Sequence, residues 1–147
     1  MNEKNILSII DIGNNKKVVT PLFSDSVSAG FPSPATDYLE HKLDLNEYLV
    51  RHPTATFIVK ASGPSMTEAG ILSGDLLIVD RSVTPKNDNI VIASVFGDLT
   101  VKKLRKKGKA LFLVSANNEY SSIEVREEME CFIWGVVTYV IHKAITK

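Results

Sequence analysis

The sequence predicts a mostly β protein: a compact, curved, antiparallel β domain with a short helical segment and a flexible N-terminal arm. Three observations carry that prediction. From residue 57 onward, runs rich in Val, Ile, Leu and aromatics alternate with glycine-bearing turns. Helical spacing of apolar residues is confined to a stretch between Leu39 and His52. Residues 1–29 are thin in hydrophobic pattern and rich in small and polar side chains.

Taken in order, Ile6–Asp11 is a possible short strand, followed by the polar stretch Gly13-Asn14-Asn15-Lys16-Lys17. Asp25-Ser26-Val27-Ser28-Ala29-Gly30 has no helical period and reads as an exposed arm. Phe31-Pro32-Ser33-Pro34 stiffens the chain, since each proline fixes its own φ and biases its predecessor toward extended forms. Leu39, Leu43, Leu45, Tyr48 and Leu49 then predict one broken helix or two short ones, with Asp44 capping the second half and His52-Pro53 ending it. Strands are expected at Phe57–Ala61, Leu76–Asp80, Ile90–Phe96, Leu99–Lys106, Ala110–Ser115 and Phe132–Ile141. Gly74-Asp75, Gly97-Asp98 and Lys107-Gly108 mark turns between them. Such a succession closes into an antiparallel β body.

At 147 residues the chain is one domain by length, with 44% hydrophobic and 23% charged residues. Lys plus Arg and Asp plus Glu are both 17, which argues against a dedicated nucleic-acid binder but leaves room for a local basic patch. Cys131 is the one cysteine, so no internal disulfide calls for an oxidising compartment. Ile6–Ile10 is too short for a signal-peptide core, and Cys131–Ile141, interrupted by Gly135, Thr138 and Tyr139, reads as a buried strand rather than a membrane span. A cytoplasmic protein is expected, with neither metal nor cofactor.

For chemistry, Ser65 lies in Ala61-Ser62-Gly63-Pro64-Ser65-Met66, directly after a strand, where a Gly-Pro pair can hold a hydroxyl on an exposed turn. On its own the plainer reading is a loop serine. A nucleophile needs a base, and His41, His52 and His142 offer no neighbouring pattern of a Ser–His–Asp triad. Lysine can serve if burial keeps it neutral. In the strand around Leu99–Lys106, alternation puts Val101, Lys103 and Arg105 on one face and Thr100, Lys102 and Leu104 on the other. The second face is less charged, which makes Lys102 the better candidate for the interior. Composition alone favours a solvated basic hairpin, Lys102 to Lys109.

Ser62-Gly63-Pro64-Ser65-Met66, then Gly70 and Gly74-Asp75-Leu76-Leu77-Ile78-Val79-Asp80, resembles the signature around the active serine of UmuD and LexA-type self-cleaving proteins. Thr100-Val101-Lys102-Lys103-Leu104 resembles their catalytic-lysine strand, and Val27-Ser28-Ala29-Gly30 their cleavage site. Phe31-Pro32-Ser33-Pro34-Ala35 is similar to the UmuD branch in particular. Three motifs in register, from about Val27 to about Ile141, make the resemblance specific.

The resemblance implies the LexA/UmuD C-terminal-like fold and a serine endopeptidase acting on itself. Lys102 would take the proton of Ser65, whose oxygen attacks the carbonyl of Ala29 and frees Gly30. The arm 1–29 would leave a β domain, 30–147, that catalyses and dimerises. Family members hold the oxyanion with backbone N–H groups near the serine. Pro64 has no N–H to give, so the N–H of Ser65 and a side chain such as Ser62 would carry the hole, with Met66 in support. Losing one such donor costs about 2.7–4 kcal/mol, so cleavage should be slow. The implied partners are a second copy, a RecA–single-stranded DNA filament that triggers the cut, and a UmuC-like Y-family polymerase subunit for translesion synthesis in the SOS response to DNA damage.

Other readings make different demands. A LexA-like or phage-type repressor needs a helix-turn-helix, and residues 1–29 show neither helical period nor basic clustering. A signal peptidase of the same chemistry needs a membrane segment. A catalytically idle β-barrel binding module would use the Lys102–Lys109 hairpin on nucleic acid and would tolerate loss of Ser65. Direct sequence-specific DNA binding and membrane association are not expected.

Overall fold

The computed structural model describes residues 6–10, 19–23, 29–30, 39–118 and 121–145. These form ten strands and one α-helix: β1 Ile6–Ile10, β2 Val19–Phe23, β3 Leu39–Asp44, α1 Leu45–Leu49, β4 Thr56–Ala61, β5 Leu76–Asp80, β6 Ile90–Val95, β7 Asp98–Lys107, β8 Ala110–Val114, β9 Ile123–Glu124 and β10 Phe132–Ile141. Short 3-10 turns occupy Pro53–Ala55, Thr67–Ala69 and Glu127–Met129. The mostly β, antiparallel prediction holds.

The chain divides into two compact units, one of residues 1–12 and 52–147, the other of residues 13–51. In the larger unit eight strands form one sheet in the order β1-β4-β5-β10-β6-β7-β8-β9, every pair antiparallel. β1, at one edge, also comes against β7, so the sheet curls back on itself. In the smaller unit β2 pairs antiparallel with β3, and α1 follows β3 directly.

The sequence explains the strands of the larger unit. β5 reads Leu-Leu-Ile-Val-Asp and β6 Ile-Val-Ile-Ala-Ser-Val; both are buried on both faces and therefore lack polar alternation. One apolar cluster gathers Val59, Ala61, Met66, Ile71, Leu77, Val79, Ile92 and Val101. A second gathers Val91, Ala93, Leu104, Leu113 and Val136. Adjacent residues of β6 and β7 thus serve different clusters, as the alternation of side chains along a strand requires.

The helical segment expected over residues 39–52 needs correction. Only Leu45–Leu49 is α-helix, and Leu39–Asp44 is a strand. Leu39, Leu43 and Leu45 satisfy a period of two as well as an i, i+4 spacing. Pairing with β2, in register Leu43 to Thr20 and Lys42 to Pro21, decides in favour of the strand. The Asp44 cap is present: its Oδ1 accepts from the Asn46 N–H at 3.0 Å. β2 and the two-residue β9 were not foreseen. Residues 11–18, 24–28 and 31–38, on which much of the expected arm and the Phe31-Pro32-Ser33-Pro34 motif fall, lie outside the described residues.

Candidate active site

The turn that follows β4 brings Ser65 inward. Gly63 takes φ of 87°, a left-handed conformation that an L side chain would strain, so the chain reverses there without cost. Its N–H donates to Ser73 Oγ at 3.3 Å. The Pro64 carbonyl accepts from the Thr67 N–H at 3.2 Å and from Asn117 Nδ2 at 2.7 Å. Met66, next to the serine, is 2% exposed and joins the first apolar cluster. Its carbonyl accepts from Ala69 and Ile71 N–H groups, and its Sδ from the Ala116 N–H at 3.4 Å. Glu68 N–H donates to the Ala116 carbonyl at 2.7 Å. The serine turn is therefore tied to the segment after β8 through both Ala116 and Asn117.

Ser65 is 1% exposed and Lys102, on β7, is 7% exposed. Lys102 Nζ lies 3.4 Å from Ser65 Oγ and donates to Thr100 Oγ1 at 3.0 Å. Thr100 and Lys102 stand two residues apart on one strand face, as alternation predicted, and Thr100 orients the amine from its own strand. Lys102 stands opposite Val91 of β6, one pair in from the end of the β6–β7 ladder. A hydroxyl and an amine this close and this buried can exchange a proton, provided the amine is neutral.

Other candidates fall elsewhere. Ser62 is half-buried just before Gly63. Ala29 and Gly30 form an exposed bend in the smaller unit. His52 and His142 each meet a buried aspartate: His52 Nδ1 with Asp80 at 2.6 Å, His142 Nδ1 with Asp75 at 2.7 Å. Cys131 is half-buried, and that burial pushes its thiol up from the ordinary value. Among the described residues no group of three metal-ligating side chains comes together, and no helix is long and apolar enough to cross a membrane. Thr100 and Asn117 were not singled out beforehand. Alternation placed Thr100 beside Lys102, whereas nothing local marks Asn117, which reaches the turn across 53 residues of sequence.

The larger unit is thus a β body in which a buried serine and a buried lysine are in contact. Residues 21–138 match the family described as Peptidase S24-like. The chain is 48% identical over 134 residues to Protein ImpA of Escherichia coli, covering 90% of each chain. It is 49% identical over 123 residues to Protein SamA of Salmonella typhimurium, covering 84% of this chain and 85% of that one. Its 42% identity to the LexA repressor of Shewanella piezotolerans spans 99 residues, 67% of this chain and 48% of the repressor. The chain belongs to the peptidase S24-like family, in its UmuD-like branch. It is a UmuD-like SOS mutagenesis protein from a family whose members cleave themselves.

Proposed function

We propose that Ser65 and Lys102 are the nucleophile and general base of that self-cleavage, and that the bond cut joins Ala29 to Gly30. The observation that carries this reading is the 3.4 Å approach of Lys102 Nζ to Ser65 Oγ, with both residues buried. Lys102 must be uncharged to accept the serine proton, and burial disfavours an ammonium. Deprotonated Ser65 Oγ attacks the Ala29 carbonyl; the tetrahedral oxyanion is held by the Ser65 N–H, with Ser62 and Met66 shaping its surroundings. Lys102 then returns the proton to the Gly30 nitrogen, and water hydrolyses the acyl-serine. The products are the arm 1–29 and the domain 30–147. Small side chains at the cut, Ser28-Ala29-Gly30, let an extended strand pass close to the hydroxyl.

In the cell this cut would be triggered in the cytoplasm by RecA filaments on single-stranded DNA, which favour the docked state of the cleavage strand. The shortened protein would act as a homodimer that joins a UmuC-like Y-family polymerase subunit for translesion synthesis. Support for dimerisation comes from β10. Both of its edges are already paired, but Phe132, Trp134, Val140 and Ile141 expose 66%, 37%, 36% and 40% of their surface.

The test is the intact mass of the purified protein held at neutral and alkaline pH, with and without RecA filaments, beside Ser65→Ala and Lys102→Ala. Fragments 1–29 and 30–147, formed faster at high pH and absent from both variants, are expected. An intact chain under every condition, or fragments from Ser65→Ala, would overturn the proposal.

A further inference from the structure

We propose that the tip of the β7–β8 hairpin is a docking site for single-stranded DNA, independent of the serine–lysine pair. Residues 102–109 hold six basic side chains (Lys102, Lys103, Arg105, Lys106, Lys107 and Lys109) and no acidic one, in a chain whose net charge is zero. Lys102 is committed to the interior. Of the others, Lys106, Lys107 and Lys109 are exposed around the Gly108 turn, whereas Lys103 and Arg105 are half-buried along β7. Arg105 is already engaged, its Nε lying 3.1 Å from Asp88 Oδ1. The cations available to a ligand therefore concentrate at the hairpin tip.

Two features point to a single strand of nucleic acid rather than an acidic protein. Lys106, Lys107 and Lys109 crowd three exposed cations around the Gly108 turn, a local density of positive charge that suits a polyanionic backbone. On the neighbouring strand stands Phe112, opposite Arg105 in register and half-exposed. Lys107 Nζ lies 5.9 Å from the centre of its ring. On binding, that ammonium would turn to a phosphate and leave the ring for a base, the pairing of cation and aromatic platform by which proteins hold unpaired strands. A duplex would offer phosphates but no base face for Phe112. The hairpin chemistry serves DNA or RNA alike; the choice of DNA rests on the SOS role given above.

The experiment is fluorescence anisotropy of a labelled oligothymidylate with the full chain carrying Ser65→Ala, over a series of salt concentrations. Competitors are a duplex, oligouridylate and polyglutamate. Binding that weakens steeply with salt is expected, displaced by neither polyglutamate nor the duplex, with oligouridylate competing no better than unlabelled oligothymidylate. Lys106→Gln/Lys107→Gln/Lys109→Gln should weaken binding about tenfold or more at low salt and flatten the log–log salt slope by about 2, for three lost phosphate contacts on a single strand. Phe112→Leu should weaken binding about fivefold or more and leave the slope unchanged. Circular dichroism melts of the glutamine variant, whose changes lie on exposed side chains, separate lost binding from lost fold. No binding at low salt, an unchanged slope in the triple variant, or preference for polyglutamate, duplex or oligouridylate would each overturn the proposal. Self-cleavage of the triple variant in the wild-type Ser65 background, read by mass, reports on the peptidase separately and should be unaltered.

Discussion

At the scale of single residues, the site is a matter of contact and orientation. Thr100 accepts from Lys102 Nζ at 3.0 Å and so aims the amine at the serine. Thr100→Val should slow self-cleavage about fivefold, the worth of one hydrogen bond of about 1 kcal/mol, and Thr100→Ser should restore it. Both variants should melt with wild type, which separates positioning from folding. Gly135 answers a different constraint, that of space. A Cβ there would stand 2.7 Å from Val79 Cγ1 and 3.1 Å from the Asp80 carbonyl oxygen. Gly135→Ala should cost about 1–3 kcal/mol by overpacking, visible as a lower urea midpoint with an unchanged m-value.

Among the elements, β5 shows how the sheet is fixed at its middle. An aspartate stands at each end of the strand, and each is met by a histidine from the flanking chain: His52 before β4 and His142 after β10. Burial raises the Asp80 carboxyl. The His52 hydrogen bond at 2.6 Å, with those from the Ser82 hydroxyl and N–H, more than offsets that and holds it below the ordinary value of 3.8. Because the folded value is the lower one, Asp80 adds stability above the unfolded value and loses it as pH falls through the folded one. Asp80→Asn should therefore cost about 1–3 kcal/mol at neutral pH and show a shallower fall in melting temperature on acidification below about pH 4 than wild type. In β7, Leu104 shares a face with Lys102 and is 1% exposed in the second cluster. Leu104→Ala should destabilise by about 2–5 kcal/mol in urea titration.

For the whole molecule, what the sequence made legible follows from how local each signal was. The bounds of β5 and β10 could be read residue for residue from apolar runs bounded by turns, but β10, expected to be buried, leaves Phe132, Trp134, Val140 and Ile141 exposed. Alternation made Lys102 the better interior candidate of its strand, and the resemblance decided against a solvated hairpin. Leu39–Asp44 misled because four-residue spacing belongs to two periods at once, and the deciding partner, β2, contains a proline and a threonine in five residues. Asn117 left no trace, since its bond to the Pro64 carbonyl exists only once β8 has been laid beside β7. The serine and the lysine could be paired beforehand by resemblance; their separation and burial required the fold.

The depth of Ser65 has one further consequence. With 1% of the residue open, an ordinary protein in solution has no route to the hydroxyl. Only a slender extended segment with small side chains, held nearby at high effective concentration, can reach it. Unrelated polypeptides such as casein should emerge whole from prolonged incubation, and bulky serine-directed reagents should label Ser65 slowly. On the proposed assignment of Ser65 as nucleophile, a cell could thus stockpile the uncut chain in quantity without releasing a general protease among its own proteins, the enclosure itself standing in for an inhibitor.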